Sequence, residues 1–367
     1  MSQHSWSASP SRVRIGMATL FAMAMLALIG SGPREVSPMI AAAIRLPVEG
    51  ELPTLAGATG WLNSPALSPA GLRGKVVLVD FWTFTCVNWL RTLPYLRAWN
   101  ARYKDKGLVV IGVHTPEFSV EHDLDNIRRA AKDMRVEYPI AVDNDYAVWR
   151  AFDNAYWPAI YIADAQGRIR FHHFGEGDYE QTERVIQQLL AEAGATGVGS
   201  ELSPVEARGT EVSADWSTLR SGETYVGYEK AENFASPGGL AHDKSRDYSG
   251  PAKWTLNHWA FAGQWTVGGE IAVADKPKAR IAFRFHARDV NLVMGAGKGG
   301  QPLHYRVLID GHPPGSAHGT DVDAQGSGSV AEPRLYQLIR QPGPIEDRLF
   351  EIEFLDTGAE ALCFTFG

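Results

Sequence analysis

The chain has 367 residues, a formal net charge of −7 and 45% hydrophobic residues. That length exceeds one ordinary core and predicts two domains with additional segments. Mild acidity without any Lys/Arg cluster gives no phosphate-tracking surface, so no nucleic-acid partner is expected. Two cysteines exclude a disulfide-stapled scaffold and any multi-cysteine zinc or iron–sulfur centre.

Residues 1–45 read as an export segment. Arg12 and Arg14 precede an uncharged apolar run over residues 15–29, and small residues follow. The run fits a cleaved signal peptide or an N-terminal membrane anchor, and either delivers the remainder to a periplasmic or other extracytoplasmic location. Contact with a membrane is expected only through this segment.

Residues 46–195 alternate between strand and helix signals. Lys75-Val-Val-Leu-Val-Asp-Phe-Trp82 is a β-branched, apolar run expected to form a strand covered on both faces. A helix is predicted to start directly after Cys86, with Leu90, Leu93, Leu96 and Trp99 as its apolar stripe. Residues 108–113 predict a second buried strand, 120–134 an amphipathic helix and 146–152 a short helix. Residues 158–163 and 169–174 form a predicted hairpin around Asp164-Ala-Gln-Gly167, and 179–193 a closing helix. This order is an α/β layer architecture. Gly, Ser, Thr and Glu enrichment marks residues 196–222 as an interdomain linker. From residue 223 to 367 helical periodicity vanishes and short period-two strands alternate with Gly-, Pro- and Asp-rich turns, which predicts an all-β sandwich of jelly-roll type.

The segment Val79-Asp-Phe-Trp-Thr-Phe-Thr-Cys-Val-Asn-Trp-Leu-Arg-Thr-Leu-Pro94 carries strand, aromatic, cysteine and a proline eight residues later. It resembles the active-site segment of the thioredoxin-like (TlpA/redoxin) family, and more narrowly the periplasmic portion of DipZ-type proteins. Trp61-Leu-Asn-Ser-Pro, Gly112-Val-His-Thr-Pro-Glu117, Val142-Asp-Asn-Asp-Tyr146 and Phe174-Gly-Glu-Gly177 are similar too. Arg280-Ile-Ala-Phe-Arg-Phe-His-Ala-Arg-Asp-Val290 and the final Phe-Thr-Phe-Gly367 resemble the carbohydrate-module-like domain that ends DipZ-type chains. The resemblance implies a thioredoxin fold followed by that β-domain. It also implies a cis-proline loop facing the cysteine, for which Trp157-Pro158 is the candidate.

A thiol is nucleophilic as the thiolate, and the unpaired N–H groups of a helix N-terminus lower its pKa. Cys86 is therefore the candidate catalytic nucleophile, with Asn88, Trp89, Trp157 and Pro158 as the expected walls of a substrate groove. Tryptophans 82, 89 and 157 would oppose the helix effect if they desolvate the thiol. Trp89 occupies the position of a second thiol, so a mixed disulfide formed at Cys86 lacks the usual internal route of release. Cys363, on an alternating strand of the other domain, reads first as a small core hydrophobe and only second as a redox partner. His114 and Glu117 follow the second strand; they are auxiliary candidates for proton transfer, with loop hydrogen bonding as the plainer role. His172 and His173 face opposite sides of a strand and the β-domain histidines lack ligand spacing, so no metal is expected. No cofactor is expected. Trp254, Trp259 and Trp265 read as core, with stacking on a sugar or a partner surface as the alternative.

The leading expectation is an extracytoplasmic thiol–disulfide oxidoreductase-like protein acting through one nucleophilic cysteine. Its expected substrates are exported proteins with disulfides or oxidised cysteines, and release would use an external thiol donor. Peroxide reduction is weaker, because no proline precedes Thr83 in the peroxiredoxin arrangement. The alternative is a redox-inactive thioredoxin-fold binding module with a glycan- or protein-binding β-domain.

Overall fold

An apolar run with no polar alternation forms a strand only where both faces are covered, and residues 76–82 meet that condition: every one is buried. In the computed structural model, which describes residues 45–297 and 301–367, they are the central strand of a seven-stranded sheet. The segment 1–45, expected to direct export, lies outside the described residues apart from its last residue. Among the described residues no helix is long and apolar enough to cross a membrane.

The first part of the chain runs β1 (Gly50–Glu51), β2 (Gly60–Leu62), α1 (Pro69–Leu72), β3 (Val76–Trp82), α2 (Val87–Tyr103), β4 (Leu108–His114), α3 (Leu124–Asp133), β5 (Ile140–Val142), α4 (Ala147–Ala151), β6 (Ala159–Ala163), β7 (Arg168–Phe174) and α5 (Tyr179–Glu192). The sheet order is β1-β7-β6-β3-β4-β5-β2. β3, β4 and β5 are parallel, and β6 and β7 return antiparallel. This is the thioredoxin fold. The amphipathic helix expected over 120–134 begins only at Leu124. Asp123 accepts from the N–H groups of Asp125 (2.8 Å) and Asn126 (3.1 Å), which caps the helix there, and residues 119–121 form a separate 3-10 turn.

The second part contributes β8 (Thr224–Tyr225), β9 (Ser245–Tyr248), β10 (Trp259–Val267), β11 (Ala272–Ala274), β12 (Ala279–Phe285), β13 (Asp289–Gly295), β14 (Leu303–Ile309), β15 (Ser327–Val330), β16 (Arg334–Arg340), β17 (Arg348–Phe354) and β18 (Glu360–Phe366). β10 belongs to two layers. Residues 259–262 pair with β12, whereas residues 263–267 pair with β9 and β11. Gly263 marks the changeover at φ 79°, a left-handed angle that suits glycine at a sheet corner. Phe261, Trp265, Phe283, Phe354, Phe364 and others fill the space between the layers. Trp259 and Trp265 are core residues, fully buried, while Trp254 is half-buried.

Residues 196–222 are largely irregular with one 3-10 turn, Gly209–Glu211. They are tied to the first sheet's helices: Ser203 N donates to both Glu183 oxygens, and Arg97 pairs with Glu211 at 2.5 Å. The described residues belong to one compact unit.

Candidate thiol site

Cys86 is the N-cap of α2, in extended backbone (φ −72°, ψ 111°), and no side chain caps the helix. The N–H groups of Asn88 and Trp89 are therefore free to turn to the sulfur, and both act to lower its pKa. Across the site the Trp157–Pro158 peptide is cis, and Cys86 Sγ lies 3.9 Å from Trp157 O. Trp157 Nε1 donates to Thr115 O at 3.1 Å, which fixes the loop after β4 to the proline loop.

The turn ahead of Cys86 is held by a residue that sequence reasoning passed over. Glu121 is fully buried, and its Oε1 accepts from Thr85 N (3.2 Å) and Thr85 Oγ1 (2.6 Å). Its Oε2 accepts from Glu117 N (2.7 Å) and Phe118 N (2.9 Å). One carboxylate thus joins the Cys86 turn to the Glu117 loop. Burial raises its pKa against these four donors. Nothing in its local sequence separates Glu121 from an ordinary helix-start glutamate.

Three expectations need correction. Trp89 does not line a groove. It is fully buried, stacks on Trp82 with ring centroids 4.2 Å apart, and donates from Nε1 to Asp80 Oδ2 at 2.8 Å. Asp80, also missed, is fully buried with Oδ1 lacking a partner among the described residues, and desolvation holds its carboxyl well above the usual range. Second, the helix N-terminus does not win at Cys86. Desolvation pushes the thiol pKa up strongly, and the Glu117 and Glu223 carboxylates add to it. Third, His114 is no proton carrier at neutral pH. It is fully buried between Trp82 and Phe84, neither ring nitrogen has a partner among the described residues, and burial lowers its pKa to about 3.

Asn88 and Trp157 keep partial exposure beside Cys86, while Pro158 is buried. Glu117 turns to the β-domain: the Tyr225 hydroxyl donates to it and Lys230 pairs with it at 3.5 Å. Lys230 also sits 4.4 Å over the Tyr225 ring. The β-domain reaches α2 as well. Arg91, fully surrounded, pairs with Glu176 at 2.9 Å and donates to Phe366 O at 3.1 Å. Gly367 closes against the same guanidinium, where a Cβ would collide with Arg91 Nη2. Among the described residues no group of His, Cys, Asp and Glu is arranged to hold a metal ion.

A cysteine opening a helix after a buried central strand, opposite a cis-proline, defines a thioredoxin-type thiol site. Residues 52–172 match the AhpC/TSA family and residues 221–367 the thioredoxin-like C-terminal domain. The chain belongs to the thioredoxin-like family. It is similar to Protein DipZ of Mycobacterium bovis, 41% identical over 250 residues, covering 67% of this chain and 35% of that protein. The chain thus spans about a third of the length of that relative. It is also similar to the thiol-disulfide oxidoreductase YkuV of Bacillus subtilis, 30% identical over 141 residues, covering 38% of this chain and 95% of YkuV. Among solved structures, that of a thioredoxin-like protein in the oxidized form is 31% identical, with a TM-score of 0.37, covering 39% of this chain and 96% of the other.

Proposed function

We propose that the chain is an extracytoplasmic thiol–disulfide oxidoreductase in which Cys86 is the one thiol that meets substrate. The observation that carries this reading is the placement of the Cys86 sulfur. It lies at the start of α2, served by the Asn88 and Trp89 N–H groups, and opposite the Trp157 carbonyl beside Pro158. In the reaction the Cys86 thiolate attacks one sulfur of a target disulfide and expels the other as a thiolate, leaving a mixed disulfide on Cys86. The helix N–H groups stabilise the attacking and departing thiolate at Cys86. The backbone of the Trp157–Pro158 turn offers an extended target segment a place to lie. The targets are exported proteins carrying disulfides or oxidised cysteines. The basic and then apolar N-terminal sequence supports the exported location.

A second reading is a redox-inactive binding module. It is favoured by the thiol's strong desolvation and by Trp89, whose bulk fills the place of a second thiol. The two are separated by mixing the reduced, folded chain with oxidised glutathione and following its intact mass. The oxidoreductase reading predicts covalent change in wild type and none initiated in Cys86→Ser. A wild-type chain whose mass is unaltered across pH 7–9 contradicts it and leaves the binding module.

A further inference from the structure

We propose that Cys363 resolves the mixed disulfide formed at Cys86, so that the dithiol absent from Cys86-Val87-Asn88-Trp89 is assembled from two domains. The proposal rests on the reading of Cys86 as the substrate-facing nucleophile.

The side chain of Cys363 faces the thioredoxin domain. Across the β-domain layer, Leu335 on β16 pairs with Val293 on β13, Val293 with Cys363 on β18, and Cys363 with Tyr225 on β8. Leu335, Val293, Cys363 and Tyr225 are thus one cross-strand row. Leu335, Val293 and Cys363 are buried in the same core cluster as Trp89, Leu90 and Leu93 of α2, and Cys86 and Tyr225 pack against that cluster. The sandwich core is built from other residues of the same strand: Ala361, Phe364 and Phe366.

A bulge aims the thiol. Between β13 and β18 the register shifts: Val293 opposes Cys363, but Met294 opposes Ala361. Leu362 is the extra residue, and with it both Leu362 and Cys363 join the cluster shared with α2. The strand carrying Cys363 is also hydrogen-bonded to the helix that opens with Cys86, because Arg91, in the second turn of α2, donates to Phe366 O at 3.1 Å.

The two sulfurs share an electrostatic environment as well. The Glu117 and Glu223 carboxylates act on both thiols, Glu223 keeping solvent contact at the rim. Tyr225, adjacent to Cys363 in the row, donates to Glu117. The sequence holds only these two cysteines. Cys363 is a buried core residue, as its alternating strand leads one to expect, and the core cluster it joins is the one shared with α2.

The stroke balances without any further reagent. Cys86 attacks a disulfide R–S–S–R, forming Cys86–S–S–R and releasing one RS⁻, which takes the proton lost by Cys86. Cys363 then attacks the Cys86 sulfur, forming Cys86–S–S–Cys363 and releasing the second RS⁻, which takes the Cys363 proton. Two protein thiols are oxidised and one disulfide is reduced to two thiols.

The test uses the reduced full chain and oxidised glutathione under native conditions, quenched in acid and read by intact mass and peptide mapping. The expected product is a chain lighter by two hydrogens, without glutathione, carrying a Cys86–Cys363 linked peptide. Cys363→Ala, checked for folding by circular dichroism, is expected to retain glutathione on Cys86. A wild-type chain that keeps glutathione on Cys86 and forms no linked peptide overturns the proposal while upholding Cys86 as nucleophile. This outcome is read on wild type and does not depend on the variant folding. A wild-type chain that takes no glutathione and forms no linkage overturns both readings.

Discussion

Trp89 and Asp80 show how far the loss of one thiol reaches. The indole that replaces the second cysteine is buried under the cysteine turn and hydrogen-bonded to Oδ2 of a carboxyl whose Oδ1 has no partner among the described residues. Desolvation raises the Asp80 pKa, so folding favours its protonated form. The unfolded chain releases that proton near pH ~4. Stability therefore falls as pH rises from there toward the raised folded-state value. Asn at position 80 keeps an acceptor for Trp89 and has no charge to bury. Asp80→Asn is expected to melt several degrees above wild type at pH 7 and to lose that advantage below pH ~4, as thermal unfolding across pH will read. The same reasoning applies to Cys86. Its raised pKa keeps the thiol protonated at neutral pH, and the charged groups that act on it are Glu117, which Lys230 and the Tyr225 hydroxyl contact in turn, and Glu223. Alkylation of Cys86 should keep accelerating with pH beyond ~8.5, where an ordinary thiol levels off. Glu117→Gln removes a carboxylate that opposes the thiolate and should move the profile to lower pH; an unmoved profile would remove Glu117 from the account. Cys86 itself was legible from sequence, because strand, aromatic and cysteine sit on one continuous segment. Asp80 and Glu121 were not, since their roles depend on burial and on partners far along the chain.

At the scale of elements, the apolar runs predicted the central strands well because those strands are covered on both faces, and period two predicted the β-domain strands. The limits of α3 depended on the Asp123 cap, a single side chain that periodicity does not weigh. The sharing of β10 between two layers was invisible, since it rests on one left-handed glycine and on pairing partners that come later in sequence. Two predictions belong here. Trp89→Ala removes a fully buried ring from the α2–β3 contact and should cost about 3–5 kcal/mol in denaturant unfolding. Glu121→Ala leaves four donors in the Cys86 and Glu117 turns without their acceptor, each worth roughly 1–3 kcal/mol when buried and unsatisfied. It should destabilise the chain by about 3 kcal/mol or more, by the same measurement.

For the molecule as a whole, the β-domain forms part of the surroundings of the thiol. Residues of β8, β13, β16 and β18 complete the cluster around α2, and Arg91, held in a buried ion pair with Glu176, joins helix and final strand by its hydrogen bond to Phe366 O. Removing one partner of such a pair leaves the other buried and uncompensated, so Arg91→Ala should cost about 3–5 kcal/mol. Sequence placed the two domains in order but left them as separate bodies, and on that separation Cys363 looked like a core residue. The contact that gives it another role is tertiary. The claim that Cys86 acts on disulfides of other proteins is tested most directly in cells, by comparing Cys363→Ala with a Cys86→Ser/Cys363→Ala double variant on non-reducing gels. The account predicts reductant-sensitive covalent complexes with exported proteins in the first and their loss in the second. Complexes that persist without Cys86, or none in either variant, would contradict it.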